Sequence, residues 1–448
     1  MLKCFKNITI LILLFGSLFT STAQSKFDFK NNSKKQTLSF KLLNNLIVIP
    51  IEVNGKKLNF ILDSGVGSTI LFNLNDKDSI PLHNLKKIKL QGLGSEEPVD
   101  AILSKGNIFN INKISGINQS LYVIFDDSFD LSSKLGVTVH GIIGFELLKD
   151  FVVDINYNSK RITFYDSDAY EYKNCKKCEI LNLEFYKLKP YINVGVKLPT
   201  SPNKITPVKL LIDSGGSDAM WLFENSHPDI LPPKKFFVDF LGEGLSGTVH
   251  GKRAKINALM IGKHELKEPT VSYPDSISIS FARKFEERNG SMGASVLKRF
   301  NVTFDYKKQK IILKRNSSFK NPFNYNMSGI ELVYNGKVLV KQRDNASFSF
   351  SENNGSSRNN TVILDYKYKY AFKPSYKIFK VQNESPAFYA GLLKDDIIVK
   401  VNGKYAHEMK LEEIVHKFYE KENKKINLVV ERNAQHYEFS FRLKNMLK

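Results

Sequence analysis

Cysteine is scarce in this chain, with three among 448 residues. Cys4 lies ahead of the first apolar run, which leaves Cys175-Lys176-Lys177-Cys178. Two thiols with no further ligands nearby do not fill a tetrahedral zinc site. A small local disulfide pinning a linker is favoured over a redox or metal role. Long apolar runs are missing too. The one at residues 8–19 is about a dozen residues, short of the ~20 that a membrane span needs. Lys3 and Lys6 precede it and Ser21-Thr22-Ala23-Gln24 follow, the layout of a secretory signal. Residues 1–23 are therefore expected to be a removed signal peptide, with the mature chain exported, periplasmic or secreted, and without an integral membrane segment. Cys4 sits before the run rather than at its end, which argues against lipoprotein processing. No dense basic block and no nucleic-acid motif is present either. The formal charge of +21 is spread as lysines along the whole chain, which reads as solvated faces and excludes a nucleic-acid partner.

What is present suits a folded protein. Hydrophobic residues make up 42% and charged residues 25% of the chain, near the averages for globular domains, and the length allows two or three cores. An internal repeat organises most of it. Phe60-Ile61-Leu62-Asp63-Ser64-Gly65-Val66-Gly67-Ser68 recurs 150 residues later as Leu210-Leu211-Ile212-Asp213-Ser214-Gly215-Gly216-Ser217-Asp218. Gly92-Leu93-Gly94 faces Gly242-Glu243-Gly244 at the same offset, and His140-Gly141-Ile142-Ile143-Gly144 faces Asn289-Gly290-Ser291-Met292-Gly293 at 149. The tails beginning Leu148-Lys149-Asp150-Phe151 and Leu297-Lys298-Arg299-Phe300 also correspond. Matched signals in one order imply a duplication.

Each repeat reads as mostly β. Residues 46–53 and 56–62 flank Asn54-Gly55, a pair that supplies the positive φ angles of a tight hairpin. Arg161-Ile162-Thr163-Phe164-Tyr165 and Lys310-Ile311-Ile312-Leu313 have strand composition, and residues 146–148 form a short helical piece. The predicted architecture is mainly β, with one lobe over 24–166, a second over 167–316, and a further unit beyond them. A Ser-, Asn- and Gly-rich stretch within 345–370 predicts a flexible insertion.

An Asp at the end of an apolar strand, followed by a small hydroxyl residue and Gly, is a carboxylate on a tight turn. One copy is an ordinary loop; two copies inside a duplicated unit are a candidate pair. Should the turns meet at a pseudo-twofold axis, the carboxylates would share one proton, because like charges at hydrogen-bonding distance cannot both ionise freely. In these motifs the chain resembles the retroviral-type (retropepsin-like) aspartic peptidases, in a fused two-repeat form found in exported bacterial proteins. The resemblance covers residues 45–315 and implies two retropepsin- or pepsin-like lobes related by pseudo-twofold symmetry. It also implies an endopeptidase acting on protein or peptide substrates without metal or cofactor. By it, Asp63 and Asp213 are catalytic and activate a water, Ser64 and Ser214 cross-link the turns, and Gly65 and Gly215 let backbone amides approach the carboxylates. Gly92, Gly94, Gly242 and Gly244 would belong to two flaps, Gly92 and Gly242 each lying 29 residues after an Asp. The segments 141–144 and 290–293 would pack behind the active turns.

Some positions depart from that pattern. Val66 and Gly216 stand where pepsin-like enzymes carry a hydroxyl on the carboxylate, Ser291 interrupts an apolar pair, and the first flap lacks a tyrosine. Asp218 is an extra acid expected to face solvent.

Further on, Ser385-Pro386-Ala387-Phe388-Tyr389-Ala390-Gly391-Leu392, then Asp395-Asp396-Ile397-Ile398 and Asn402-Gly403, resemble a bacterial PDZ domain over 327–445. A helix over 411–421 with Leu411, Ile414, Val415 and Phe418 apolar, then a strand over 426–431, fit that order. The resemblance implies capture of a C-terminal peptide by strand addition, with Gly329, Ile330 and Leu332 in the carboxylate loop and Glu331 placing a negative charge beside it. The alternative function is a non-catalytic peptide-binding or scaffold protein using the same lobes and PDZ domain. The presence of both aspartates argues against it.

Overall fold

Alternating apolar and polar side chains make strands of most of this chain. Leu46–Val53 and Lys56–Leu62 pair antiparallel through Asn54 and Gly55 at φ 47° and 88°, as the Asn-Gly pair predicts. The computed structural model describes residues 25–74, 79–94, 97–125, 131–172, 174–343 and 368–447. The expected signal peptide lies outside the described residues, as do residues 345–367 of the expected insertion and Ser95 beside the first flap glycines. Among the described residues no helix is long and apolar enough to cross a membrane.

The duplication is realised as matched topology. In the first lobe Gly141–Ile143 lies between Lys56–Leu62, parallel to it, and Thr69–Leu71, antiparallel. In the second, Gly290–Gly293 lies between Ser201–Asp213, parallel, and Met220–Leu222, antiparallel. A third sheet joins the two. Its strand order is Cys178–Asn182, Lys310–Arg315, Phe300–Asp305, Phe151–Asn156, Arg161–Asp166, Lys35–Ser39. The tails of both repeats pair across its centre, from Val152 opposite Asp305 to Asn156 opposite Asn301. The lobes are therefore one body, with a single hydrophobic cluster running through both. The segment linking them carries the Cys175–Cys178 disulfide.

The last sheet runs Ile330–Arg343, Tyr368–Val381, Ile397–Val401, Lys425–Arg432, Gln435–Arg442, with helices Pro386–Tyr389 and Leu411–Phe418. Two expectations are corrected here. The second helix stops at Phe418, not 421, because the Phe418 carbonyl is taken by the Met327 N–H at 2.9 Å. Tyr368 to Tyr370, expected in the insertion, are strand residues with Arg343 opposite Tyr368. Their Tyr-Lys-Tyr alternation carries β-favouring aromatics, unlike the Ser-, Asn- and Gly-rich run at 345–360 on which the expectation rested.

The two-lobe body reaches further along the chain than residue 316. Arg299 is 2% exposed, and its guanidinium donates to the carbonyls of Ser318 (3.2 Å), Asn321 and Pro322 (3.2 Å), with Phe323 stacked 3.5 Å away. A buried cation held only by carbonyls becomes costly when those carbonyls leave. A chain stopped after Arg315 should therefore melt about 5 °C or more below one stopped after Asn324. Equal melting temperatures for the two truncations would show that the 316–323 segment contributes nothing to the lobes.

Candidate active site

Each acidic turn is aimed by the strand that leads into it. Phe60 and Leu62 in one repeat, and Leu210 and Ile212 in the other, are buried in the shared core, so the chain reaches Asp63 and Asp213 with its direction fixed. Asp63 N–H donates to Ile143 O at 2.8 Å. Behind the turns, Phe145 N–H donates to Val66 O (3.1 Å) and Ala294 N–H to Gly216 O (2.7 Å). The Gly141–Ile143 and Gly290–Gly293 strands thus buttress the two turns.

The turns are tied to each other through their serines. Ser64 Oγ donates to Ile212 O (2.7 Å) and accepts from Ser214 N–H (3.0 Å); Ser214 Oγ donates to Leu62 O (2.9 Å) and accepts from Ser64 N–H (2.9 Å). Both serines are buried, at 0% and 1% exposure, and each hydroxyl both donates and accepts, which is what a buried hydroxyl requires.

This exchange brings the carboxyl groups to one spot. Asp63 Oδ1 accepts from Gly65 N–H (2.7 Å) and Gly215 N–H (3.2 Å). A methyl on Gly215 would meet Asp63 Cγ at 2.2 Å, and one on Gly65 would lie 3.1 Å from Asp63 Oδ1 and 3.2 Å from Asp213 Oδ1. Only glycine lets both amides approach. Burial, then the facing Asp213, pushes Asp63 up to about 7. Burial raises Asp213 as well, but Arg288 and then Lys189 oppose the rise. Both carboxyls are thus pushed toward the neutral form, and like charges so close favour a single proton for the pair, with Arg288 acting on the Asp213 side.

Arg288 and Lys189 did not emerge from the sequence. Arg288 is 5% exposed, donates from Nε to Gly290 O (3.0 Å) and from Nη2 to Ser291 Oγ (3.0 Å), and lies over Phe223. Ser291, the polar interruption of an apolar motif, is there to receive it, and that interruption was the available signal. Lys189 opens the strand Lys189–Leu198 and carried no signal among so many lysines. Asp218, expected to face solvent, is instead enclosed. It accepts from Arg253 Nη1 (2.9 Å), Trp221 Nε1 (2.9 Å) and Ser272 Oγ (2.7 Å), while Arg253 Nε reaches Asp239 at 2.7 Å. A guanidinium and an indole at strand spacing have replaced the water that an exposed acid would hold.

Two hairpins close over the carboxyl pair: Lys86–Leu90 with Val99–Ile111, and Phe237–Gly244 with Gly247–Lys255. Their tips touch. Ser246 N–H donates to Leu93 O (2.8 Å), and Gly92 N–H to Ser246 Oγ (3.1 Å). A methyl on Gly94, at φ 122°, would lie 1.9 Å from Ser246 O, and one on Gly244 would lie 2.1 Å from Leu93 O. These two glycines are where one backbone rests on the other, while Gly242, at φ 152° with open space around it, serves the backbone angle.

A cavity of about 700 Å³ is lined by Asp63 and Asp213, by residues of both hairpins, and by Gly329, Ile330, Leu332 and Val415 of the C-terminal unit. The C-terminal unit is docked on the second hairpin. Gln382 Nε2 donates to Val238 O (3.3 Å), Phe237 packs on Tyr325 (5.4 Å between centroids), and Lys134 pairs with Glu243 beneath the rings of Phe240 and Phe379. Gly329, at φ 79°, abuts Ser385 so closely that a methyl would meet Ser385 Cβ at 2.1 Å. Ile330 and Leu332 are buried in that unit's own core, and Ile330 N–H already donates to Ser328 Oγ at 3.0 Å. Burial, then Asp239, pushes Glu331 up to about 7, which partly relieves the negative charge the sequence placed beside this loop.

Residues 378–432 match the PDZ domain family, so the C-terminal unit is a PDZ domain, a fold that binds peptides or partners at a free strand edge. The matched stretch begins after the insertion. Ile330–Arg343, the edge strand of its sheet, and the loop at Gly329 lie before it. No curated protein matches the chain.

The raised Asp63 value has a consequence for stability. The folded chain holds that proton more tightly than the unfolded chain, so the contribution is complete below the ordinary Asp range near 4 and is lost as pH rises through about 7. Asp63→Asn, which cannot ionise, should melt close to wild type near pH 4 and clearly above it at pH 8. An offset that stays constant across thermal melts over that range would mean that Asp63 is not held protonated.

Proposed function

We propose that this chain is an exported aspartic endopeptidase that hydrolyses peptide bonds in proteins or peptides. The observation that carries the reading is the reciprocal Ser64–Ser214 exchange, which joins the two turns that carry Asp63 and Asp213. In the proposed reaction Asp213, ionised, takes a proton from a water held between the pair, and the water oxygen attacks the peptide carbonyl carbon. Asp63 gives its proton to the carbonyl oxygen, forming a gem-diol. Collapse of the diol breaks the C–N bond and returns a proton to the leaving nitrogen, restoring one proton to the pair. The closed hairpins exclude bulk water from this step, and their parting admits the substrate. The PDZ domain, opening on the same cavity, would hold a peptide or partner segment near the reacting pair. Export is part of the proposal, supported by the signal layout at residues 1–23 and by the Cys175–Cys178 disulfide, which suits an oxidising compartment.

The direct test is incubation of the purified mature chain with denatured protein, with and without a statine inhibitor. Asp63→Asn and Asp213→Asn should each lower kcat by about a thousandfold or more, and the double variant should lose almost nothing further, since a shared-proton pair acts as a unit. A folded single variant that keeps substantial activity would sink the pair and leave peptide binding alone as the function. Activity should persist to neutral pH and fall about tenfold per unit above roughly 7 as the Asp63 proton is lost. A pH–rate profile already declining at pH 5 would contradict that assignment.

A further inference from the structure

We infer that Lys189 forms a subsite for a carboxylate on the bound peptide, so that the chain selects segments bearing Asp or Glu next to the cleaved bond. This deepens the peptidase reading and rests on it. Lys189 follows the two-residue turn Lys187-Leu188, at φ 48° and 63°, which pairs Glu184–Tyr186 with the strand it opens. The turn leans on the first lobe. A methyl on Gly67 would lie 3.3 Å from both Leu188 Cβ and Lys187 O. Lys189 is therefore held where the lobes meet, on the wall of the cavity that contains Asp63 and Asp213.

Among the described residues its ammonium has no direct ion-pair partner, and the negative charge that reaches it is that of the carboxyl pair. Several other partly buried lysines have acidic partners: Lys209 has Glu184 and Glu287, Lys252 has Glu224, and Lys134 has Glu243, while Lys298 donates to Asn45 Oδ1. Among the described residues no group accepts a hydrogen bond or forms an ion pair with Lys189. A cation in a partly dehydrated wall is costly unless something compensates it. The carboxyl pair carries one negative charge between its two members, and that charge also faces Arg288, so two cations surround a single anion. One further carboxylate, arriving with the substrate, completes the balance. Tyr186 and Phe285 stack beside Lys189, 4.2 Å apart with planes 7° from parallel, and line the same cavity. They offer an apolar wall for the methylenes of a Glu side chain, while the exposed Lys187 and Lys284 at the cavity wall draw acidic segments inward. The acids Asp218 and Asp239, which line the same cavity, are already paired with Arg253 and leave no free charge of their own to oppose a carboxylate.

The test uses internally quenched peptide pools that are randomised except for one position, which holds Glu or Gln, scanned along the peptide with the mature full-length chain. At one position kcat/KM should favour Glu over Gln about tenfold or more. Lys189→Met should bring that ratio near one, and Lys189→Arg should keep it. A lysine that only tunes the carboxyl pair would change both pools alike and leave the ratio intact, so an unchanged ratio in a folded Lys189→Met chain overturns the inference while the peptidase reading stands. A ratio near one in the wild type does the same. If the wild type cleaves neither pool, the peptidase reading falls instead. Fluorescence anisotropy of the labelled pools on Asp213→Asn then decides the subsite separately: tighter binding of the Glu pool that Lys189→Met abolishes upholds it, and equal binding of both pools overturns it.

Discussion

The exchange of hydroxyl and amide hydrogen bonds between Ser64 and Ser214 is the joint on which this molecule turns. It is buried, uncharged and complete, and it lies between two strands arriving from opposite lobes. Its geometry dictates where Asp63 and Asp213 can stand, since each is the residue just before a locked serine. The sheet shared by both repeats holds the lobes in the register that the lock needs, and the glycine-lined turns keep the space around it clear. Loss of the shared sheet would separate the serines, and the two acids would then be ordinary surface carboxylates.

Electrostatics then breaks the symmetry that the backbone nearly keeps. Two buried acids facing each other cannot both be ionised, so the surroundings decide which one holds the proton. Arg288 acts on Asp213, and two backbone amides converge on one oxygen of Asp63. The second repeat supplies the arginine, the serine that receives it and the lysine nearby. The corresponding positions of the first repeat are Val139, Ile142 and Leu46, none of which can bring a charge.

Much of the architecture was legible in the residues. The Asp-Ser-Gly turns, the glycine pairs that follow them and the Asn-Gly hairpin all express backbone requirements that few residues meet, and such requirements leave a local signature. The contributions of Arg288, Lys189 and Arg253 were not legible, because a charged residue takes its meaning from what lies opposite it in space. Asp218 shows the same limit: its partners Trp221, Arg253 and Ser272 lie on three different strands. The extent of the lobes to Phe323 was hidden for a related reason. A guanidinium caged by carbonyls leaves no pattern, since any residue carries a carbonyl.

The supply of both cations, Arg288 and Lys189, by the second repeat also bears on polarity. A pocket made of two identical halves presents the same surface to a strand running in either direction and cannot tell one from the other. Here the lining is not the same from both repeats: the second supplies Lys189, where the first has Leu46, and the acids Asp218 and Asp239 held by Arg253. Joining the halves in a single chain thus lets the cleft distinguish the N-terminal from the C-terminal end of whatever strand it holds. The PDZ domain docked on the second hairpin adds to that difference between the halves.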